Sequence, residues 1–158
     1  MKSSRSIDKY KKMQVQFGLP RISELKETFK FDIDDDEKIV DQIRMEISDR
    51  IFIYTEKIIE PLIAEPDSLS SLLEQNMISE ADRARLFKIY AKIQMIKWEN
   101  NSLTITGNDK EAAEWIRRTW DFWNSELKQE LADICRKLSL SWKELKTEKE
   151  ERTSPSYC

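Results

Sequence analysis

Glycine and proline are scarce in this chain, and their scarcity constrains the fold more than any other feature of the sequence. Only two glycines and four prolines occur among 158 residues. Sandwiches, barrels and Rossmann-type sheets use glycine in tight turns and phosphate-binding loops, so these fold classes are disfavoured. The sequence instead predicts long helices joined by few connections, with enough residues for the core of one domain.

Apolar residues recur every three or four positions over three long stretches, the spacing that marks one face of a helix. The three predicted long helices run from about Val40 to Leu62, from Ser79 to Glu99 and over 109–138. The predicted N-caps of the second and third are Ser79, with Asp82 three residues later, and Asn108, with Glu111 three residues later. Shorter helices are predicted over about 20–30 and 66–75, with a further one around Trp142. The fold class that follows is all-α, an antiparallel bundle of three long and two or three short helices.

Three segments outside the long helices are expected to be irregular. Residues 1–18 are predicted to be a basic, partly disordered arm and 148–158 a polar tail, which leaves 19–147 as the bundle domain. The β-branched run before Gly107 has no second strand to pair with, so we predict an extended loop over about 100–108. Pro61 is expected to kink or end its helix, because it removes a backbone amide.

Charge is distributed unevenly, although the formal net charge is only -3. Residues 1–31 carry eight basic and three acidic side chains, residues 32–80 four and fourteen, and residues 81–158 fifteen and thirteen. A basic arm before an acidic middle suits contact with an acidic partner, though a solvated tail is the commoner cause. The candidates for contact with RNA, DNA or a ribosome are Arg5, Lys9, Lys11, Lys12, Arg85, Lys88 and Lys92.

The chain contains no histidine, which excludes Ser-His-Asp and Cys-His catalysis and histidine-ligated metals. No Walker loop, GxGxxG, CxxC or HExxH motif is present. The acidic run over 32–37 begins like an EF-hand loop, but Glu37 replaces the required glycine and Ile43 the closing carboxylate. Helix capping explains the run better. We therefore predict a protein that is not an enzyme and uses no cofactor, no metal and no small-molecule substrate.

The cellular location is predicted from two further features. No stretch is apolar enough for a membrane span, and the N-terminus lacks the apolar core of a signal peptide. The two cysteines, Cys135 within a helical pattern and Cys158 at the end, form no disulfide framework, which suits a reducing compartment. We expect a soluble, cytoplasmic protein that does not bind membranes.

The last long helix carries more aromatic residues than one apolar face requires. Most of them follow the main face, but Trp115 and Phe122 lie about 100° away from it and need a second partner. That partner is another helix of the domain, which is the commoner case, or a separate protein chain. In the second case the neighbouring Arg118 suits a binding hot spot. A second apolar face on the first long helix adds Phe52 and Ile59 to the candidates.

The predicted function is therefore binding. The chain is expected to be a non-catalytic helical module that associates with another protein, or with itself as a homodimer, through an aromatic and arginine-bearing helix face. Two alternatives stay open, an RNA- or ribosome-associated factor that uses the basic arm and a purely structural domain. Burial of Trp115 and Phe122 in the folded monomer would remove the main support for the interface.

Three parts of the sequence occur in an order that resembles a known class of protein. They are Gly-Leu-Pro-Arg-Ile-Ser-Glu-Leu-Lys at 18–26, Glu60-Pro61-Leu62, and the segment from Ile116 to Trp123. Over about residues 15–146 this order looks like small all-helical archaeal proteins of no known function. The resemblance implies a cytoplasmic helical domain and transfers no catalytic residues.

Overall fold

The structure, a computed structural model, describes residues 3–33 and 38–153. Every regular element in these two ranges is helical, which confirms the all-α fold class. The six continuous helices are α1, Ser3–Phe17; α2, Ile22–Phe29; α3, 39–63; α4, Leu69–Met77; α5, Glu80–Thr106; and α6, 109–153. The three long helices that the apolar spacing predicts are α3, α5 and α6.

Both α3 and α6 contain one wider, π-helical turn. In α3 the segment Ile39–Tyr54 passes into the π turn Thr55–Ile59 and then into Glu60–Ile63. In α6 the segment Asp109–Phe122 passes into the π turn Trp123–Leu127 and then into Lys128–Thr153. A π turn widens the helical repeat, so it rotates the residues after it relative to those before it. The end of α3 lies two residues beyond Pro61, in line with the predicted effect of that proline.

The three long helices pack against one another around an apolar core. Contacts between α3 and α5 join Arg44 to Asn100 and Glu60 to Tyr90, so these two helices run antiparallel. Ion pairs between α5 and α6 follow the same reversed order along the chain. The first helix, α1, contacts α3 and α6, and α2 contacts α3. One side of α5 therefore faces α3 and α6 together.

Residues 3–17 form a helix, which corrects the prediction of an irregular arm. Tyr10 and Met13 are buried in the core, and the Tyr10 hydroxyl donates a hydrogen bond of 2.8 Å to the carbonyl of Pro20. Gly18 follows at a φ of 65°, a left-handed conformation that favours glycine, and α1 ends there. Because the apolar face of α1 consists of so few residues, the segment resembles a polar arm in sequence.

The predicted loop over 100–108 is wrong, because α5 continues through Thr106. Asn100 is buried and accepts a hydrogen bond from Arg44 on α3. The Thr104 hydroxyl donates back to the Asn100 carbonyl at 3.0 Å. The bonds from Arg44 join this end of α5 to α3 and stabilise the helix, although its β-branched residues prefer an extended backbone.

The predicted caps are confirmed at the starts of α5 and α6. Ser79 and Asp82 form a reciprocal capping box, and the Asn108 side chain accepts from the amide of Glu111. Gly107, between the two helices, has no room for a side chain, since a Cβ there would lie 2.5 Å from a backbone oxygen of the preceding turn. The tight connection between α5 and α6 therefore requires this glycine.

Two other boundaries differ from the prediction. The last helix continues to Thr153, so the break expected after 138 does not occur, and 148–153 are helical rather than part of an irregular tail. The second helix begins at Ile22 instead of Pro20.

Candidate interaction surface

Two of the residues predicted to contact a partner are buried in the core, which corrects that part of the prediction. Trp115 has no exposed surface, and its indole Nε1 donates to the Ile96 carbonyl of α5 at 3.1 Å. Ile59 is likewise fully buried, in the π turn of α3. The first half of α6 contacts α1, α3 and α5, so its second apolar face meets helices of the same domain.

Phe122 and Arg118 keep exposed surface and line a groove between α5 and α6, here called the α5/α6 groove. Its volume is about 320 Å³, and Lys92, Met95 and Glu99 also line it. The Lys92 ammonium lies 5.7 Å from the centre of the Phe122 ring, within cation–π range. The Arg118 guanidinium lies 3.2 Å from the Glu99 carboxylate. These two predicted contact residues are therefore brought together and stay accessible.

Phe52, the remaining candidate of the predicted protein interface, is half-buried on α3. The Lys97 ammonium of α5 lies 4.5 Å from the centre of its ring. This contact belongs to the packing of α3 against α5, and part of the ring stays accessible.

The seven basic residues predicted to contact nucleic acid divide between two helices, four on α1 and three on α5. Three of them form ion pairs within the fold: Lys9 with Asp109, Arg85 with Asp82 and Glu130, and Lys92 with Glu126. The other four, all exposed, are Arg5, Lys11, Lys12 and Lys88. Nearly half of the predicted phosphate-binding charge is thus already paired inside the domain.

A further exposed apolar surface lies on the outer side of α5, and the sequence interpretation missed it. Its large side chains are Phe87, Met95, Trp98 and Ile105, which are 61, 64, 66 and 83% exposed. The small exposed residues between them are Ala84, Ala91 and Ser102. These seven residues are called the outer stripe below.

The outer stripe runs along one side of the helix. Its members follow one another at separations of three or four residues, so at 100° per residue they fall within an arc of about 80°. The buried residues of α5, such as Leu86, Ile89 and Ile93, centre on the opposite side. The fold uses only this inner side, so α5 is apolar on two opposite faces.

The sequence does contain the signal for the outer stripe, since its spacing is helical throughout. The predicted loop over 100–108 removed Ser102 and Ile105 from the helix and cut the pattern to about three turns past Phe87. The inner face of α5 alone also accounts for the helical spacing, so the sequence does not require a second partner for this helix.

Three charged residues lie along the edge of the outer stripe that faces α6. Lys88 and Lys92 lie toward the N-terminal end, and Glu99 lies toward the C-terminal end. Lys92 pairs with Glu126 and Glu99 with Arg118, and all four side chains are solvent-exposed to at least a third. Exposed pairs of this kind are worth about 1 kcal/mol or less, so they can exchange partners readily.

A buried carboxylate holds the N-terminal end of α5. Asp82 accepts hydrogen bonds from Lys137 and from the backbone amide of Ser79, and it pairs with Arg85. The bond from Lys137, helped by the amide of Ser79, holds the pKa of Asp82 well below its usual range. The outer stripe is therefore carried by a helix whose start is anchored to α6.

The described residues contain neither a metal site nor a membrane-spanning helix. No group of three or more Cys, Asp or Glu side chains in 3–33 and 38–153 is placed to hold a metal ion. Within the same ranges, no helix combines the length and apolar character that crossing a membrane requires. The acidic residues 34–37 and Cys158 lie outside the described residues, so the predictions made for them have no structural outcome.

The fold and the outer stripe define the chain as an all-helical protein with one long helix that is apolar on two faces. No family model, no characterised protein and no solved structure matches this chain. The cytoplasmic location, the lack of catalysis and the resemblance to archaeal helical proteins therefore stay predictions.

Proposed function

We propose that this protein is a non-catalytic interaction module that binds a protein partner through the outer stripe of α5. The supporting observation is that α5 is apolar on two faces, of which the fold covers one. The four large side chains of the stripe together expose on the order of 500 Å² of apolar surface. The largest apolar patch on a typical monomeric protein is about this size and is often functional.

The shape of the outer stripe selects the kind of partner. It is about 32 Å long at 1.5 Å per residue and one helix wide, which matches a single amphipathic helix. The small residues Ala84, Ala91 and Ser102 leave recesses between the large ones, where side chains of a partner helix fit as knobs into holes. Trp98 lies well inside the stripe, and tryptophan is enriched among binding hot spots.

This proposal keeps the predicted class of function and changes the residues that carry it. The outer stripe and the α5/α6 groove share Met95. Arg118 and Phe122 therefore lie at the border of the proposed interface rather than at its centre. Trp115 and Ile59 serve the core instead.

Site-specific photocrosslinking in the cells that make the protein tests this proposal. A photoreactive amino acid at position 98 is compared with one at Leu140, which is 60% exposed on α6 and lies outside the outer stripe. We expect discrete protein adducts from position 98 that disappear when Phe87→Glu is added, and none from position 140. Absence of adducts at 98, or adducts that Phe87→Glu leaves unchanged, would contradict the proposal.

A further inference from the structure

The outer stripe is complementary to itself when a second copy is laid against it in the reverse direction. We propose that its partner is a second copy of this chain, bound as an antiparallel helix pair with the two-fold axis beside Met95. This inference rests on the proposed function and names the partner for the same surface.

The order of large and small residues along the stripe supports this register. With the axis beside Met95, Ala84 lies opposite Ile105 of the second copy, Phe87 opposite Ser102 and Ala91 opposite Trp98. Phe87, Trp98 and Ile105 thus each face a small residue, and Met95 meets its own copy at the axis. Each of the three large–small pairs occurs twice because a two-fold interface is isologous. Layers that pair large with small residues fill the space between two helices evenly.

A parallel pair lacks this complementarity. It places each residue against its own copy, so Trp98 meets Trp98 and Phe87 meets Phe87, while Ala84 and Ala91 meet alanines. The large layers hold the helices apart and leave gaps at the small layers, and gaps of this kind are destabilising. The antiparallel arrangement is therefore favoured by packing alone.

Charge supports the same register independently. In an antiparallel pair, the edge of one stripe that carries Lys88, Lys92 and Glu99 meets the same edge of the second copy. With the axis beside Met95, Glu99 of the second copy lies between Lys88 and Lys92, at a distance of about one helical turn or less along the axis. Lys88 forms no ion pair with a described residue, so this contact gives it a counter-charge.

The size of the surface sets the expected strength of the dimer. The apolar area of the outer stripe is smaller than the roughly 800 Å² per partner of a standard stable interface. We therefore expect a concentration-dependent dimer rather than a permanent one. A single charge placed at the centre of so small an interface raises the dissociation constant at least about tenfold.

Sedimentation velocity over a concentration series tests the dimer. We expect the weight-average mass of the unmodified protein to rise toward that of two chains, and that of Phe87→Glu and Trp98→Glu to stay at one chain. Leu140→Glu, a charge at an equally exposed apolar position elsewhere, serves as the matched control and behaves like the unmodified protein. Thermal unfolding checks that each variant folds. A monomer at every concentration, or a dimer that Phe87→Glu does not weaken, overturns the inference.

Cysteine crosslinking tests the register. In a chain with both native cysteines replaced by serine, we expect Met95→Cys to form a disulfide-linked dimer on its own. Ile105→Cys lies about 30 Å from its own copy in the antiparallel pair and does not crosslink alone. Mixing it with a chain carrying Ala84→Cys restores the crosslink. Crosslinking of Ile105→Cys with itself, without a mixed product, indicates a parallel pair and overturns the register.

Failure of this inference is distinguishable from failure of the proposed function. If the purified protein stays monomeric while position 98 gives adducts of a heavier, unequal mass in cells, the outer stripe binds a different protein and only the self-association falls. If the purified protein stays monomeric and position 98 gives no adducts in cells, both the dimer and the proposed function are wrong.

Discussion

The Arg44 guanidinium of α3 donates a 2.8 Å hydrogen bond to the main-chain carbonyl of Asn100 on α5. Arg44 is buried, and its nitrogens also reach the Asn100 side chain, the Thr104 hydroxyl at 3.2 Å and the Asp41 carboxylate at 3.3 Å. One buried cation thus joins two of the three long helices. A buried charge is tolerated only where its partners are in place, so the network acts as a unit.

Replacing this cation is expected to destabilise the fold. Arg44→Met should lower the free energy of unfolding by about 2–4 kcal/mol, because the side-chain oxygen of the buried Asn100 loses its donor. Urea denaturation measures the change. Arg50→Met on the same helix is the control, since Arg50 makes a single exposed bond to the Lys30 carbonyl and should cost about 1 kcal/mol or less. Equal stability of Arg44→Met and the unmodified protein would contradict the role given to the network.

Trp115 and Trp98 provide a matched pair of buried and exposed tryptophans. Trp115→Ala should lower the free energy of unfolding by about 3–5 kcal/mol, because it leaves a large cavity in the core and removes the indole hydrogen bond to the Ile96 carbonyl. Trp98→Ala should change it by only about 0.5 kcal/mol when measured at a concentration where the chain is monomeric. Chemical denaturation measures the free energy of unfolding of both variants. Similar losses of stability at the two positions would show that the assignment of Trp115 to the core and Trp98 to the surface is wrong.

Apolar spacing was sufficient to predict the long helices, because each buries a regular face that repeats for many turns. Local capping chemistry was sufficient to predict two of their starts, at Ser79 and Asn108. The last two turns of α5, residues 100–106, were not predictable in this way. They depend on Arg44, which lies 56 residues away in sequence from Asn100, and no local pattern records such a contact.

The candidate surface was predictable only in part, for a related reason. Aromatic density on α6 indicated a second partner, but whether that partner is another helix or another protein depends on tertiary packing. The first half of α6, which carries the buried Trp115, packs against α1, α3 and α5, and the sequence did not indicate that α1 is a helix. Helical spacing is sufficient to identify the outer stripe of α5 when the helix is known to extend through Ile105. The sequence alone did not give that helix end.

Stability should depend on Asp82 at acid pH. Its pKa is lowered in the folded protein, chiefly by the hydrogen bond from Lys137, so the folded state binds the Asp82 proton less readily than the unfolded chain does. The contribution is therefore fully present above the ordinary aspartate pKa of about 4 and is lost as pH falls below it. Asp82→Asn should lower the free energy of unfolding by about 1–2 kcal/mol at neutral pH and by much less near pH 2.

Urea denaturation of Asp82→Asn and the unmodified protein across this acid range measures the difference. Glu114→Gln, a change at an exposed carboxylate of α6, is the control and should leave the pH dependence as it is. If the difference between Asp82→Asn and the unmodified protein were the same at both ends of the range, the anchoring of α5 would not depend on the charge of Asp82.

Tyr10 should give the opposite dependence, at alkaline pH. Burial, with the Glu24 carboxylate adding to it, raises the pKa of Tyr10 above its ordinary value of 10.0. Its contribution to stability is therefore present below pH 10 and is lost as pH rises above it, because the unfolded chain gives up the proton first.

Tyr10→Phe removes the bond to the Pro20 carbonyl and should cost about 1 kcal/mol at neutral pH. Above pH 10 this deficit should shrink, because phenylalanine has no proton to lose. Urea denaturation at neutral pH and above pH 10 measures this difference in stability, with Tyr54→Phe as the control. A deficit that stays constant between the two pH values would show that α1 is not held through the neutral hydroxyl of Tyr10.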